Sequence, residues 1–349
     1  MVDLAEAGLP LRRARLRLSA LFWRRPWLKA AVLLTPPLLA FVLVYLGALA
    51  ALFVSAFWQV NVFTEKIEHV WSFGNFSTLI HDSVYRRIAL RTIGLAAAVT
   101  LTDALLAFPL AYFMGRVARA KTRAFLFVLV LMPLWSSYLV RIYAWKTILA
   151  HDGALNWLLN KLGLPSVGLL YTNWGMWIVF SYIWLPFMIL PVYAALERIP
   201  ESFLEASQDL GGRGWRTLRS VILPLALPGL VAGSIFTFSL TLGDFITPLL
   251  VGGANSSFIG NVVEDQIGRP NIPFAAAFAT VPVMVMAIYL SLSFKKHSAA
   301  QNPEGLYREP VLMAAVIACT VVMAILMLVN IPAMQTLFSP TAPTIEDRR

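Results

Sequence analysis

Charged residues are scarce in this 349-residue chain, and apolar residues fill most of it. Lys, Arg, Asp and Glu together make up 13% of the sequence, whereas hydrophobic residues make up 59% and the mean hydropathy is +0.72. Soluble globular domains carry about 25% charged residues. The scarcity of charge therefore excludes an ordinary soluble protein and indicates a surface that lipid largely covers. The net charge of +10 fits basic cytoplasmic loops better than it fits nucleic-acid binding.

The residues that disulfides, metal sites and nucleotide sites need are also too few, wrongly spaced or absent. The one cysteine, Cys319, cannot form an intrachain disulfide. The four histidines, at positions 69, 81, 151 and 297, lack metal-ligand spacing. No Gly-Lys pair occurs in the sequence, so the glycine-rich loop whose backbone amides and lysine hold ATP phosphates is absent. The sequence therefore predicts no catalytic site, no metal and no cofactor of its own.

Long apolar runs are what the chain has in abundance. A helix that crosses the bilayer needs about 20 mostly apolar residues. Seven runs reach that length, at about 30–56, 89–114, 124–150, 174–196, 225–250, 273–294 and 311–332. They predict an all-α, polytopic membrane protein.

The distribution of basic residues predicts how these spans are oriented. Segments 1–29, 115–123, 197–224 and 295–310 contain 18 Lys and Arg residues, whereas segments 57–88, 151–173, 251–272 and 333–349 contain 7. Because Lys and Arg accumulate in cytoplasmic loops, we expect a cytoplasmic N-terminus. With seven spans the C-terminus is outside, and if 311–332 does not cross it stays inside.

The cytoplasmic loop at 200–224 carries the most specific pattern in the chain. Ser202 followed by Glu205 predicts a capping box at the start of a short helix over 203–210. The glycine pair that follows, Gly211 and Gly212, predicts its end, because glycine accepts the left-handed conformation of a helix C-terminus.

A second short helix is predicted to follow from about residue 213, with one face of arginines and another formed by Trp215, Leu218 and Ile222. Pro224 marks the start of the next span. The loop therefore reads as a stiff helix–turn–helix elbow, and we call residues 200–224 the elbow. On the physical pattern alone, an amphipathic helix lying on the lipid headgroups explains it equally well.

The same loop resembles the "EAA" signature of ABC-importer permeases, E-A-A, three residues, G, nine residues, I, one residue, L-P. The matching positions are Glu205, Ala206, Ser207, Gly211, Val221, Leu223 and Pro224, of which Ser207 and Val221 depart mildly from the pattern. In that family the loop is the coupling helix that docks in a cleft of the ATPase subunit. The resemblance implies that Glu205, Ala206, Ser207, Gly211, Leu223 and Pro224 form this contact.

The family resemblance also implies an architecture and a set of partners. It implies a six-helix type I importer transmembrane domain, to which this chain adds one C-terminal span. The partners would be a cytoplasmic ATPase dimer that binds ATP, a second permease subunit and a periplasmic solute-binding protein. The organisation would be a basic cytoplasmic N-terminus (1–29), the first span with a periplasmic loop (30–88), the core permease domain (89–294), and a linker, extra span and tail (295–349).

Several further stretches are similar to the spermidine/putrescine permeases, more to the first permease of that system than to its partner. They are 133–145 with Gly153 and Asn156, 185–191, 243–248 and the pair Gly252–Gly253, and the similarity runs from about 58 to 294. The resemblance implies a polyamine or a related small organic solute as the substrate.

Charges within the spans are the candidates for the substrate path, because a charge at mid-bilayer costs about 2.5–3.5 kcal/mol on insertion scales. Carboxylates and aromatic walls suit a polyamine cation. The candidates are Asp244, Tyr138, Arg141, Trp145, Phe245 and Asp103, with Asp244 foremost. Arg141 would repel a cation, so we also consider that it pairs with Asp103 or Asp244 for structure, and that Trp145 is an interface anchor.

Two other functions stay open on the sequence. A secondary transporter driven by an ion gradient would use the intramembrane charges Asp103, Arg141 and Asp244. A membrane-bound enzyme or structural anchor would need catalytic residues in a recognisable arrangement, and none is present.

Overall fold

The computed structural model describes residues 26–61, 64, 66–253 and 256–301. The predicted seventh span at 311–332 lies outside the described residues. In the part that is described, five helices are long and apolar enough to cross a membrane, and six if one bent pair counts as a single span. They account for the first six predicted spans, and they confirm an all-α polytopic membrane protein.

The N-terminal unit ends at Val54 and consists of the first span. Helix α1 covers Pro26–Phe41 and contains the proline pair Pro36 and Pro37. A π-helical turn, Val42–Leu46, leads into α2, Gly47–Ser55. Leucines and valines along this helix are exposed, as a lipid-facing span requires.

The second unit begins with a small extramembrane segment. Strands β1 (Gln59–Val60) and β2 (Ile67–Glu68) form an antiparallel hairpin, which is the only sheet in the described residues. Helix α3 (Gly74–His81) follows, and Asp82 caps the next helix by accepting a hydrogen bond from the Val84 backbone N–H at 2.8 Å.

The remaining helices build the membrane domain. They are α4 (Ser83–Tyr112) with a π-helical turn at Phe113–Val117, α5 (Ala120–Trp135), α6 (Tyr138–Leu149), α7 (Ala154–Lys161), α8 (Asn173–Glu197), α9 (Glu201–Asp209), α10 (Trp215–Thr217) with a π-helical turn at Leu218–Ile222, α11 (Leu223–Gly243), a π-helical turn at Pro248–Gly252, α12 (Ile259–Gly268) and α13 (Ile272–Gln301).

The centre of this domain is the bundle of α4, α8 and α11. Glycines allow α8 and α11 to approach closely: a Cβ atom at Gly229 would lie 2.5 Å from Ala195 Cβ, and one at Gly233 would lie 2.6 Å from Met188 Sδ. Small residues at a helix crossing are the usual means of association in lipid, where no hydrophobic force drives helices together.

Two predicted spans differ from the structure in their continuity. The run 124–150 is broken between α5 and α6. The segment formed by α6 and α7 is bent by 94° relative to α5. The Ser136 hydroxyl donates to the Pro133 carbonyl at 2.7 Å, and the backbone at Ser136 and Ser137 is extended. Serine side chains that bond to nearby backbone compete with helix continuation.

The run 225–250 is also not one helix, because α11 ends at Gly243. Asp244 has an extended backbone, and its Oδ1 accepts the backbone N–H of Ile246 at 2.9 Å. The carboxylate thus satisfies donors that a continuous helix would have satisfied internally. The break places Asp244 at a junction between elements.

Candidate functional site

The first half of the elbow is helix α9, which begins at Glu201, immediately after Pro200. The predicted capping box is wrong: Pro200 occupies the N-cap position, and no side chain caps the helix. The helix starts one residue before Ser202, so the Ser202 hydroxyl lies inside the first turn and cannot act as the cap. Glu201 lies in the first turn instead, where its charge complements the helix dipole.

The predicted glycine stop of α9 is confirmed. Gly211 has a φ of +76°, and its N–H donates to the Gln208 carbonyl at 2.8 Å. The Gly212 N–H donates to the Ser207 carbonyl at 2.7 Å. These bonds satisfy carbonyls at the helix end and reverse the chain in two residues.

A hydroxyl pair ties the two halves of the elbow together. Ser207 Oγ lies 3.1 Å from Thr217 Oγ1, within hydrogen-bonding distance. Gly212 fits beneath this pair, since a Cβ atom there would lie 2.5 Å from Ser207 Oγ. In the sequence, Ser207 is only a mild departure from the alanine of the family pattern, and nothing indicates that Thr217 is its partner. The serine in fact provides a cross-link that alanine could not.

The second half of the elbow is not a separate helix. Residues Trp215–Gly243 form one helical span that passes through the π-helical turn. Leu223 and Pro224 are therefore inside this span and do not mark its start. Pro224 lies where the π-helical turn passes into α11, and local π-helical adjustment is one of the ways in which transmembrane helices tolerate proline.

The elbow has an inner and an outer face. Leu204, Leu218 and Ile222 pack into a core cluster with α4 and α8. Four large apolar side chains of the elbow are exposed: Phe203 is 52% exposed, Leu210 86%, Trp215 72% and Leu223 38%. The sequence predicted that Trp215 lies on one face with Leu218 and Ile222, whereas the structure places it on the outer face. Glu205, Ala206 and the arginines at 213, 216 and 219 are exposed as well. This surface has the composition of an interface centre, with aromatic and aliphatic anchors beside arginine.

A second polar cluster lies at the end of α11. Asp244 is 8% exposed, and its Oδ2 accepts the hydroxyls of Tyr138 and Thr247, the latter at 2.6 Å. The Tyr138 ring stacks on Trp184 at 5.7 Å. We call Asp244, Tyr138 and Thr247 the Asp244 cluster. Thr247 was missed in the sequence, because an Asx turn involves the backbone two residues after the aspartate, here Ile246, and does not indicate the Thr247 side chain.

Arg141 lies next to this cluster and, within the part of the chain that the structure describes, has no acidic partner. Its guanidinium carbon is 5.9 Å from the centre of the Tyr138 ring. Nε and Nη1 are buried and have no hydrogen-bond partner among the described residues. The ion pair with Asp103 or Asp244 is not observed in that part of the chain. Asp244 already accepts hydrogen bonds from the hydroxyls of Tyr138 and Thr247. The Arg141 guanidinium lies near the Tyr138 ring instead.

Trp145 packs against the same hydrophobic core cluster as Tyr138, and Phe245 follows Asp244 in the chain, but the contacts given for these residues and for Asp103 are with other partners. Asp103 is fully buried in α4 beside the Ser181 hydroxyl, and neither of its oxygens has a hydrogen bond among the described residues. Trp145 packs against Tyr182 at 5.2 Å. The Phe245 backbone carbonyl accepts a hydrogen bond from the Asn261 side-chain amide at 2.7 Å. The structure therefore brings together Tyr138, Arg141 and Asp244 from the predicted set.

Comparison with known proteins agrees with this fold. Residues 107–340 match the family described as "Binding-protein-dependent transport system inner membrane component". The chain is 47% identical over 296 residues to the inner membrane ABC transporter permease protein YdcU of Escherichia coli K12, covering 81% of this chain and 94% of the relative. It is 33% identical over 227 residues to the spermidine/putrescine transport system permease protein PotB of Escherichia coli K12, covering 64% and 82%.

A solved structure supports the architecture. The crystal structure of a bacterial ABC transporter involved in the import of the acidic polysaccharide alginate aligns with a TM-score of 0.65 at 20% identity, covering 82% of this chain and all of that one. At this identity the likeness concerns the fold alone. The family match and the similarity to YdcU show that the chain belongs to the binding-protein-dependent transport system inner membrane components, the permease family of ABC importers.

Proposed function

We propose that this chain forms half of the pore of an ATP-driven importer and receives its energy through the elbow. The observation that carries the proposal is the outer face of the elbow, where Phe203, Leu210 and Trp215 are exposed beside Glu205. The sequence has no phosphate-binding loop of its own, so an ATP-driven mechanism requires a separate ATPase. The elbow and the N-terminus lie in the cytoplasm in this arrangement.

The inner face of the elbow supports a mechanical role. Leu204 and Ile222 pack into the same cluster as Met114, in the turn after α4, and Val192 of α8. Closely packed interiors transmit displacement, because side chains have no free volume in which to absorb it. Movement of an ATPase dimer against the outer face would therefore shift the central helices, as rigid-body rocking between inward and outward states requires.

The test of the proposal is retention of the ATPase subunit on the purified chain. We expect Glu205→Lys to abolish copurification and uptake while membrane insertion is preserved, because the exposed carboxylate is replaced by the opposite charge. Gly211→Asp should act likewise, since it places a side chain at positive φ.

The matched control is Glu264→Lys, the same charge reversal at an exposed position outside the elbow, on α12. It should leave copurification intact. Normal ATPase retention and uptake by Glu205→Lys would remove the coupling role from the elbow.

We further propose a polyamine, or a related small organic cation, as the solute. Support comes from the similarity to PotB and from the Asp244 cluster, in which a carboxylate lies among aromatic rings. A periplasmic solute-binding protein would deliver the solute, and a second permease subunit would complete the pore. The acceptance of spermidine or putrescine by the cognate binding protein is the measurement that decides between polyamines and other solutes.

A further inference from the structure

An arginine at the cytoplasmic end of α4 binds the end of α8, a contact that no sequence pattern indicates. Arg116 lies in the π-helical turn at Phe113–Val117. Its Nη2 donates to the Leu196 carbonyl at 2.7 Å and also to the Ile199 carbonyl. The contact joins residues 80 and 83 positions apart. Arg116 therefore links two spans that are distant in the chain.

The two acceptors are the carbonyls where α8 ends and the elbow begins. The last carbonyls of a helix lack the usual intrahelical donor. The Leu196 carbonyl accepts the Ile199 backbone N–H at 3.3 Å, and Arg116 adds a charged donor to it. Helix α8 ends at Glu197, and α9 begins at Glu201. The Ile199 carbonyl belongs to the short segment between these two helices. A cation at a helix C-terminus is also favoured by the helix dipole. Arg116 thus fixes the junction through which any movement of α9 reaches α8.

Packing around this junction excludes a loose surface contact. Met114 is fully buried, as is Leu196, and Ile199 is 5% exposed in the same core cluster. The only ion pair at this helix end among the described residues, Arg123–Glu197, differs in kind. Its atoms are 3.6 Å apart and both side chains are well exposed, so it contributes little.

We propose that Arg116 is a positioning residue for energy coupling, which fastens the elbow to α4. The elbow is covalently continuous with α8 and α11, and Leu204 and Ile222 pack in one cluster with α4; Arg116 adds a polar attachment to this packing. Without it, part of a push on the elbow would be absorbed by bending at Ile199–Pro200, and the three central helices would move together less closely. This inference rests on the proposed function of the elbow.

The experiment uses the assembled transporter in proteoliposomes, with solute uptake and ATP hydrolysis measured in the same sample. Arg116→Gln should retain the ATPase subunit and hydrolyse ATP, while solute transported per ATP falls about tenfold, the scale of one lost charge-assisted hydrogen bond. Arg116→Lys, which keeps the charge but lacks the planar fork, should fall between. Arg119→Gln, an exposed neighbour, should behave as wild type.

A second measurement covers the case in which Arg116→Gln assembles poorly. Hydrogen exchange of the chain in detergent should be faster across 198–212 in Arg116→Lys, with exchange in α4 and α8 unchanged. Wild-type transport per ATP in Arg116→Gln, or unchanged exchange in Arg116→Lys, would overturn the inference. Failure of the proposed function would look different: the wild-type chain itself would not retain an ATPase.

Discussion

At the residue scale, Asp244 shows how a buried charge is accommodated in a span. A carboxylate removed from water needs hydrogen bonds or a partner charge. Asp244 has two hydroxyl donors and a backbone N–H, and it lies where α11 stops. It is therefore held in a fixed position at a break in the bundle, which is where transporter substrate sites are commonly built.

The corresponding prediction is that Asp244→Asn lowers uptake of a cationic solute by at least about tenfold, since the amide removes the negative charge while it keeps the size. Initial uptake rates of labelled spermidine or putrescine, measured at equal amounts of membrane-inserted protein, provide the check. Asp265→Asn, at an exposed position on α12, is the control. Uptake unchanged by Asp244→Asn would reduce the carboxylate to a packing role.

The sequence predicted single residues of this cluster but not their partners. Asp244 was identified as a carboxylate within a span and Tyr138 as an aromatic wall suited to a cation, yet they are 106 positions apart, and only the fold brings them together. For Arg141, an ion pair with Asp103 or Asp244 was one of the interpretations considered. The structure places Arg141 over an aromatic ring, an outcome that depends on the break between α5 and α6.

At the scale of elements, the glycines of α11 set the distance to α8. We predict that Gly229→Ala lowers the stability of the purified chain by about 1–3 kcal/mol, because overpacking forces the backbones apart. The new Cβ would lie 2.5 Å from Ala195 Cβ and 2.6 Å from the Pro191 carbonyl oxygen. Scanning fluorimetry in detergent measures the change.

A glycine in open space provides the matched comparison. A Cβ atom added at Gly94 of α4 would have no neighbouring atom within 4 Å, so Gly94→Ala should be neutral or slightly stabilising through helix propensity. Equal effects of the two substitutions would show that packing between α8 and α11 does not limit stability.

Sequence patterns predicted elements best where local chemistry decides them. The end of α9 was predicted because Gly211 needs a left-handed backbone that other residues disfavour. The start of α9 was predicted wrongly, because Pro200 begins the helix before Ser202 can cap it. The break at Ser136 was hidden by the apolar residues on both sides, which have the composition of an uninterrupted span.

At the scale of the whole molecule, composition and one motif were enough for the fold class and the family. The scarcity of charged residues indicated a membrane protein. The pattern from Glu205 to Pro224 indicated an importer permease before any contact was known. The link from Arg116 to the elbow could not be predicted, since both acceptors are backbone carbonyls that leave no mark on the sequence.

The dependence of transport on a separate ATPase is the central claim. The most direct test is solute uptake by proteoliposomes that contain this chain and its second permease, with and without the ATPase subunit and internal ATP. We predict uptake only when both ATPase and ATP are present, and uptake that survives an uncoupler. Uptake without the ATPase that collapses with the ion gradient would contradict this claim and favour a secondary transporter.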